Sequence, residues 1–332
     1  MTQHSAGVLG TGSYLPKEEI SNEAVAGPAG VTAEWIERKT HIVSRRYAAP
    51  DEATSDLATR AAGEALKGAG ITAGQIDYLI VATSTGDSPQ PPTSYLVQNA
   101  LGADRAACLD VNVVCSGFVF GLALAHSLLA VRPGSHALVI GADIYSRILD
   151  FSDRRTAILF GDGAGAAVLG PVPDETGILD FDLSSHGSAH RYIRVEAGGS
   201  RMPASSDTLG EGGQFFRMEG RAVREFVAEK VPPALAALAA RNGTRLDEVD
   251  HFVPHQANGV LLDELVEQAG LTAAHTHRTV ERFGNVGSAS VPVALDDAHR
   301  SGHLKRGDLV LLTGFGGGMA MGSCLMRWAV GA

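Results

Sequence analysis

The sequence predicts an α/β fold built from two similar halves. Three observations carry this reading. Short apolar runs alternate with helical segments along the 332 residues, and the same punctuation recurs at a fixed offset of 173 residues. Apolar residues make up 45% of the chain and charged residues 19%, enough to bury a large core.

Tyr78–Ala82, Ala137–Ile140 and Leu309–Leu312 have the length and apolar content of strands, while Asp56–Ala69 and Arg221–Ala240 are helical segments. "CLDVNVV" reads as a buried strand, and "SGFVFGLALAHSLLAV" after it as a helix apolar nearly all round. Ile76-Asp77 matches Val249-Asp250, Gly134 and Gly141 match Gly307 and Gly314, and Gly86 matches Gly259, every pair 173 residues apart. A glycine turn before an apolar strand is common and explains any one match, but four in register indicate duplication. The expected halves are residues 1–173 and 174–332, meeting near Pro171–Glu175, with equivalent loops converging on a shared centre. At the same offset Cys115 falls opposite Ser288.

Charge narrows the function classes. With 27 basic and 37 acidic residues the net charge is −10, which argues against a nucleic-acid or anionic-membrane binder. Cys108, Cys115 and Cys324 form no CxxC pair and have no histidine at metal-ligand spacing, so neither a disulfide framework nor a metal site is expected. The first residues lack a basic start followed by an apolar run, and the longest membrane candidate, Phe118–Val131, is too short to span. The expected location is the cytoplasm. "FGDGAGAA" at 160–167 does not keep GxGxxG spacing and continues as strand, which argues against a dinucleotide site.

Cys115 stands at the junction between that strand and that helix, where free N–H groups and the positive end of the helix dipole stabilise a thiolate. A lone cysteine there is more often core packing. The case for a nucleophile comes from "VPHQAN", which sets His255 after a short β run, and "RFGNVGSASVPVAL", which sets Asn285 between glycines before another apolar helix. Together they point to a Cys/His/Asn site.

With these residues in view, the chain resembles the thiolase-like ketoacyl synthases, specifically the ketoacyl-acyl carrier protein synthase III group. The resemblance covers nearly the whole chain, through "GTGSYLP", "EWIERKTHI", "VCSGF", "LFGDGAGAAVLGP", "AGGSRMPAS", "VPHQAN", "FGNVGSASVP" and "GFGGGMAMGSCLMRW". It implies a five-layered αβαβα sandwich of duplicated halves, a cofactor-free homodimer and a Cys115–His255–Asn285 triad. Cys115 would take an acyl group from acyl-CoA. His255 and Asn285 would stabilise the enolate formed when a malonyl thioester, on carrier protein or another donor, loses carbon dioxide. The N–H groups of Cys115 and Gly317 would form the oxyanion hole. Trp35, Lys39, Arg154 and Asn258 would bind CoA, and Gln90 would reach the partner subunit's acyl pocket.

The sequence departs from the family at several places. Lys39 stands where relatives have arginine and His41 where they have glycine, while Val113 and Val114 replace small residues before the nucleophile. Val260 replaces an arginine, and Asp263, Glu264 and Glu267 stand where lysines would meet an acidic carrier, with Arg241 and Arg245 left to compensate. The leading expectation is decarboxylative Claisen condensation in fatty acid or polyketide starter chemistry. Its rivals are a secondary-metabolism acyltransferase of the same fold working without decarboxylation, a noncatalytic CoA-binding partner and, more distantly, a nicotinamide-dependent oxidoreductase.

Overall fold

The structure, a computed structural model, describes residues 5–331. The chain runs β1 (Ala6–Tyr14), β2 (Glu18–Ser21), α1 (Asn22–Ala29), α2 (Ala33–Thr40), β3 (Ser44–Tyr47), α3 (Thr54–Ala69), β4 (Tyr78–Ala82), α4 (Thr93–Leu101), β5 (Ala107–Val111), α5 (Gly117–Val131), β6 (Ala137–Ile144) and β7 (Asp162–Pro171). It continues through β8 (Gly177–Ser185), β9 (Ile193–Arg194), α6 (Ser206–Gly210), β10 (Arg217–Met218), α7 (Gly220–Arg241), β11 (His251–Pro254), α8 (Gly259–Ala269), β12 (His275–Thr276), α9 (Val280–Phe283), α10 (Ser290–Arg300), β13 (Leu309–Gly316) and β14 (Ala320–Arg327).

Two five-stranded sheets form, ordered β1-β7-β6-β4-β5 and β8-β14-β13-β11-β12, so the second repeats the first strand for strand. Tyr78 pairs with Ala137 in one sheet, and His251, 173 residues later, pairs with Val310 in the other. The strands are apolar on both faces because both faces are covered. Val139 of β6 packs against α5, while Leu138 and Ile140 face α3. In β13, Val310 and Leu312 join the central core with α5 and α10, while Leu309 and Leu311 join α7 and α8. The layers are thus helix, sheet, helix pair, sheet, helix.

Helix α5 is apolar all round because it lies between the sheets and beside α10. The apolar stretch reaches back to Val114, making 18 residues, more than the sequence reading allowed, and by length and composition it could cross a membrane. Phe118, Val119, Leu122 and Ala125 instead fill the centre of the core. The "CLDVNVV" segment also differs from expectation. Its first four residues belong to β5, but among the described residues β4 alone pairs with that strand, so it is an edge strand and half-buried rather than buried.

The repeated glycines have a steric basis. A side chain on Gly141 would lie 2.4 Å from the Ser288 carbonyl oxygen, and one on Gly314 would lie 2.9 Å from Ser116 Cα. The central strand of each half therefore makes room for the strand-to-helix junction of the other. The fourth match joins two different local settings. Gly86 lies in the ten-residue loop between β4 and α4, whereas Gly259 opens α8, and the shorter loop there is offset by the extra helix α9. Gly141→Ala is expected to destabilise the protein by about 1–3 kcal/mol, because backbone rather than a mobile side chain blocks the new methyl. Urea unfolding measures this, and an unchanged midpoint would contradict the close packing of the halves.

Candidate active site

Cys115 lies in a single 3₁₀ turn, Val114–Ser116, between β5 and the first residue of α5. It is 5% exposed. Burial, followed by the nearby charge of Asp143, pushes its thiol well above the usual range. The N-terminus of α5 is the feature that favours the thiolate. Val114, just before it, has φ 47°, a left-handed conformation that costs a β-branched residue about 1–3 kcal/mol. The glycine turn after β13 accommodates this residue. A side chain on Gly317 would come within 2.9 Å of Val114, and one on Gly316 would lie 3.0 Å from Cys115 Sγ.

His255 follows β11 directly, and its N–H donates to Thr313 O at 2.7 Å. The imidazole meets the edge of Phe315 at 5.3 Å between centroids. Burial alone lowers its pKa to about 3, so the ring is neutral at neutral pH. Its Nδ1 is buried without a hydrogen-bond partner, leaving Nε2 as the nitrogen able to serve the cavity. Gln256 fixes this segment. Its Nε2 donates to Pro254 O and His277 O, and its Oε1 accepts from the N–H groups of Thr279 and Val280.

Asn285 is held by the first half of the chain. Its N–H donates to Leu159 O at 2.8 Å, and its carbonyl accepts from Gly161 N at 3.0 Å. The Gly287 N–H donates to Oδ1 at 2.9 Å, which settles the amide orientation and leaves both Nδ2 hydrogens available. The Gly-rich 160–167 segment therefore has a supporting role, and its residues from Asp162 onward run as β7.

Asp143, a carboxylate the sequence reading passed over, ties the two loops together. Its Oδ1 accepts from Ser84 N–H and from the hydroxyls of Thr83, Ser84 and Thr85, and its Oδ2 accepts from Ser288 N–H. The signal was present in "VIGADIY", where one carboxylate interrupts an apolar strand.

Cys115, His255 and Asn285 share one cavity of about 670 Å³. Trp35, Lys39, Arg154 and Asn258 line it too, so the structure brings seven expected residues together. Asn258 Oδ1 also caps α8 by accepting from Leu261 N–H at 2.9 Å. Arg38, Arg155, Arg221 and Arg224 also line it, the last three paired with Asp153, Glu225 and Glu264, and Phe160, Phe216 and Met218 add apolar wall. The sequence reading singled out none of these arginines or apolar side chains. Gln90 lies elsewhere, on the exposed loop before α4, and does not line its own chain's cavity. Gly317 is not among the lining residues, although its neighbour Gly316 is. His41 ends α2 in the left-handed conformation, φ 59°, which explains the glycine expected there, and its Nδ1 lies 3.5 Å from Asp263.

A thiol at a helix N-terminus, a neutral imidazole and an oriented carboxamide on one tunnel, between duplicated halves, define a thiolase-like condensing enzyme. Residues 109–187 match the family described as 3-oxoacyl-[acyl-carrier-protein] synthase III, and residues 239–328 match its C-terminal part. The chain is 52% identical to the acetoacetyl CoA synthase NphT7 of Streptomyces sp. (strain CL190), covering 99% of this chain and all of that one. It is 41% identical to a β-ketoacyl-[acyl-carrier-protein] synthase III of Symbiobacterium thermophilum, covering 97% and 98%. Among solved structures it is similar to the 3-oxoacyl-(acyl carrier protein) synthase III of Pseudomonas aeruginosa PAO1 (TM-score 0.90, 36% identity, 99% of both chains). It is also similar to the priming β-ketosynthase of the R1128 polyketide biosynthetic pathway (TM-score 0.90, 35% identity, 98% and 97%). The chain belongs to the 3-oxoacyl-acyl carrier protein synthase III family. It is an acyltransferase that condenses an acyl group from acyl-CoA with a malonyl thioester.

Proposed function

We propose that the malonyl thioester used by this enzyme is malonyl-CoA, and that with an acetyl starter the product is acetoacetyl-CoA. The observation that carries this reading is the state of the arginines around α8. Arg224 pairs with Glu264, Arg278 with Asp263, Arg241 with Asp180 and Asp182, and Arg245 with Asp247. Arginines already paired within the chain offer little to an acidic carrier. Arg38, Lys39 and Arg154 form no ion pair among the described residues, and all three line the tunnel with Trp35, a setting suited to CoA phosphates and adenine. The name of the 52% identical relative agrees with a CoA-bound product.

In this reading Cys115 attacks the acyl-CoA carbonyl as thiolate, the N–H groups of Cys115 and, by its family position next to the lining residue Gly316, Gly317 stabilise the tetrahedral oxyanion, and CoA leaves with the thiol proton. Malonyl-CoA then enters. The neutral His255 and the Asn285 Nδ2 donate to its thioester carbonyl, and the carboxylate leaves as carbon dioxide. The resulting enolate carbon attacks the acyl-Cys115 carbonyl, and the thiolate departs to regain a proton. No cofactor takes part in these steps. The working unit is a cytoplasmic homodimer. The unpaired edge of β5, with Tyr95 50% exposed and Leu96 36% exposed on α4, supports pairing with a second copy, whose cavity Gln90 would enter.

The test is discharge of acyl-enzyme by malonyl-CoA and by malonyl-carrier protein. Malonyl-CoA is expected to be favoured at least about tenfold in kcat/KM, equivalent to ~1.4 kcal/mol. Asp263→Lys combined with Glu264→Lys should raise use of the carrier. Preference for the carrier in the unaltered chain would overturn the proposal.

A further inference from the structure

On the second sheet, at the end of β11 opposite His255, four histidines meet. His251 begins β11, His275 lies in β12, His277 follows it, and His303 lies in the connection between α10 and β13. One ligating nitrogen from each of His275, His277 and His303 lies within 4.8 Å of the other two. Ring centroids are 4.5 Å apart for His275 and His277, 4.8 Å for His275 and His303, and 5.6 Å for His277 and His303. His277 is 5% exposed, while His275 and His303 are open to solvent.

A hydrogen-bonded chain behind the cluster orients its buried member. His251 Nε2 lies 3.1 Å from Asp308 Oδ2, and His251 Nδ1 lies 3.1 Å from His277 Nε2. The Asp308 carboxylate can only accept, so Nε2–H of a neutral His251 donates to it. His251 Nδ1 then carries the lone pair and accepts from His277 Nε2–H, which leaves the lone pair of His277 on Nδ1. Asp308 is itself held, accepting from Lys305 N–H at 2.7 Å. Carboxylate–histidine support of this kind sets the tautomer of metal-ligating imidazoles.

We propose that His275, His277 and His303 form a binding site for one zinc-class divalent cation, with His251 and Asp308 as positioning residues and a water molecule completing the coordination. Three imidazole nitrogens suit a borderline cation better than calcium or magnesium, which select oxygen. Tetrahedral ligand nitrogens at Zn–N bond lengths lie about 3.4 Å apart, so the two exposed side chains would draw closer on binding. The site is structural. His277 O accepts from Gln256 Nε2 at 3.1 Å, and Gln256 adjoins His255, so a bound ion would brace the strand end that carries the imidazole donor.

Calorimetric titration of tag-free, chelator-treated protein with zinc is expected to show one ion per chain with micromolar or tighter affinity. The Cys115→Ala background removes the rival ligand in the tunnel, and cobalt should give a tetrahedral visible spectrum without a thiolate charge-transfer band. His275→Ala combined with His303→Ala alters two exposed positions and should abolish binding, and Asp308→Asn should weaken it about 10–100-fold. Absence of binding, millimolar binding only, or binding unchanged in the double variant would overturn the proposal.

Discussion

Replacing Cys115 with alanine is expected to abolish covalent acyl capture and to lower turnover at least about 10³-fold. Acidity does not single out this thiol. Burial also raises Cys108, to about 11, and holds Cys324 well above its usual range. What distinguishes Cys115 is its place at the mouth of α5, on the tunnel, whereas Cys324 packs in the central core and Cys108 beside the outer helix layer. Intact-protein mass spectrometry after exposure to acetyl-CoA should therefore place one acyl group on Cys115 and none on the other two. Since the thiol is held up, thiolate is scarce at neutral pH, and the capture rate should climb as pH rises. An adduct of undiminished yield in Cys115→Ala would remove the nucleophile from the assignment.

The second large effect is expected from Asn285→Asp. Capture should survive, because the acyl transfer uses the thiol and the oxyanion hole, while carbon dioxide release from malonyl-CoA should fall about 10²–10³-fold. The Gly287 N–H fixes one oxygen of the side chain, so the replaced amide nitrogen becomes a carboxyl oxygen directed at the developing enolate. In its charged form that oxygen repels the enolate. Burial raises carboxyl pKa values, as desolvation does at Asp143, so the new group is partly protonated at low pH and the defect should deepen as pH rises. Undiminished carbon dioxide release, measured with pre-acylated enzyme, would show that the amide is not the donor.

Much of this fold was legible because duplication writes itself as a register. The Ile76-Asp77 and Val249-Asp250 pairs and the glycines at 134, 141, 307 and 314 kept one offset because each pins a strand start or a close approach between halves. Gly86 and Gly259 share it although one lies in a loop and the other opens α8, and the length differences that follow them cancel before α5 and α10. Cys115, His255 and Asn285 were legible as short motifs at strand ends and before helices. The Arg224–Glu264 and Arg278–Asp263 pairs were not, because charge reads from a sequence as a sum and not as a set of partners. The sequence reading took Asp263 and Glu264 as a repelling face, yet each already holds an arginine. The histidine cluster escaped for a similar reason. His251, His275 and His303 are separated by more than a helix length of chain; the parallel pairing of β11 with β12 sets His251 beside His275, and the connection leading into β13 brings His303 to them.

Ser288 occupies the place in the second half that Cys115 occupies in the first. Its hydroxyl donates to Ala82 O at 2.8 Å, its N–H is bound by Asp143, and it is fully buried. The two junctions thus differ in what they offer. In the first half the thiol faces the tunnel, where the proposed chemistry needs it. In the second half the corresponding hydroxyl fastens the junction to the neighbouring sheet, so two sheets of the same strand order would support a chemistry with a single direction.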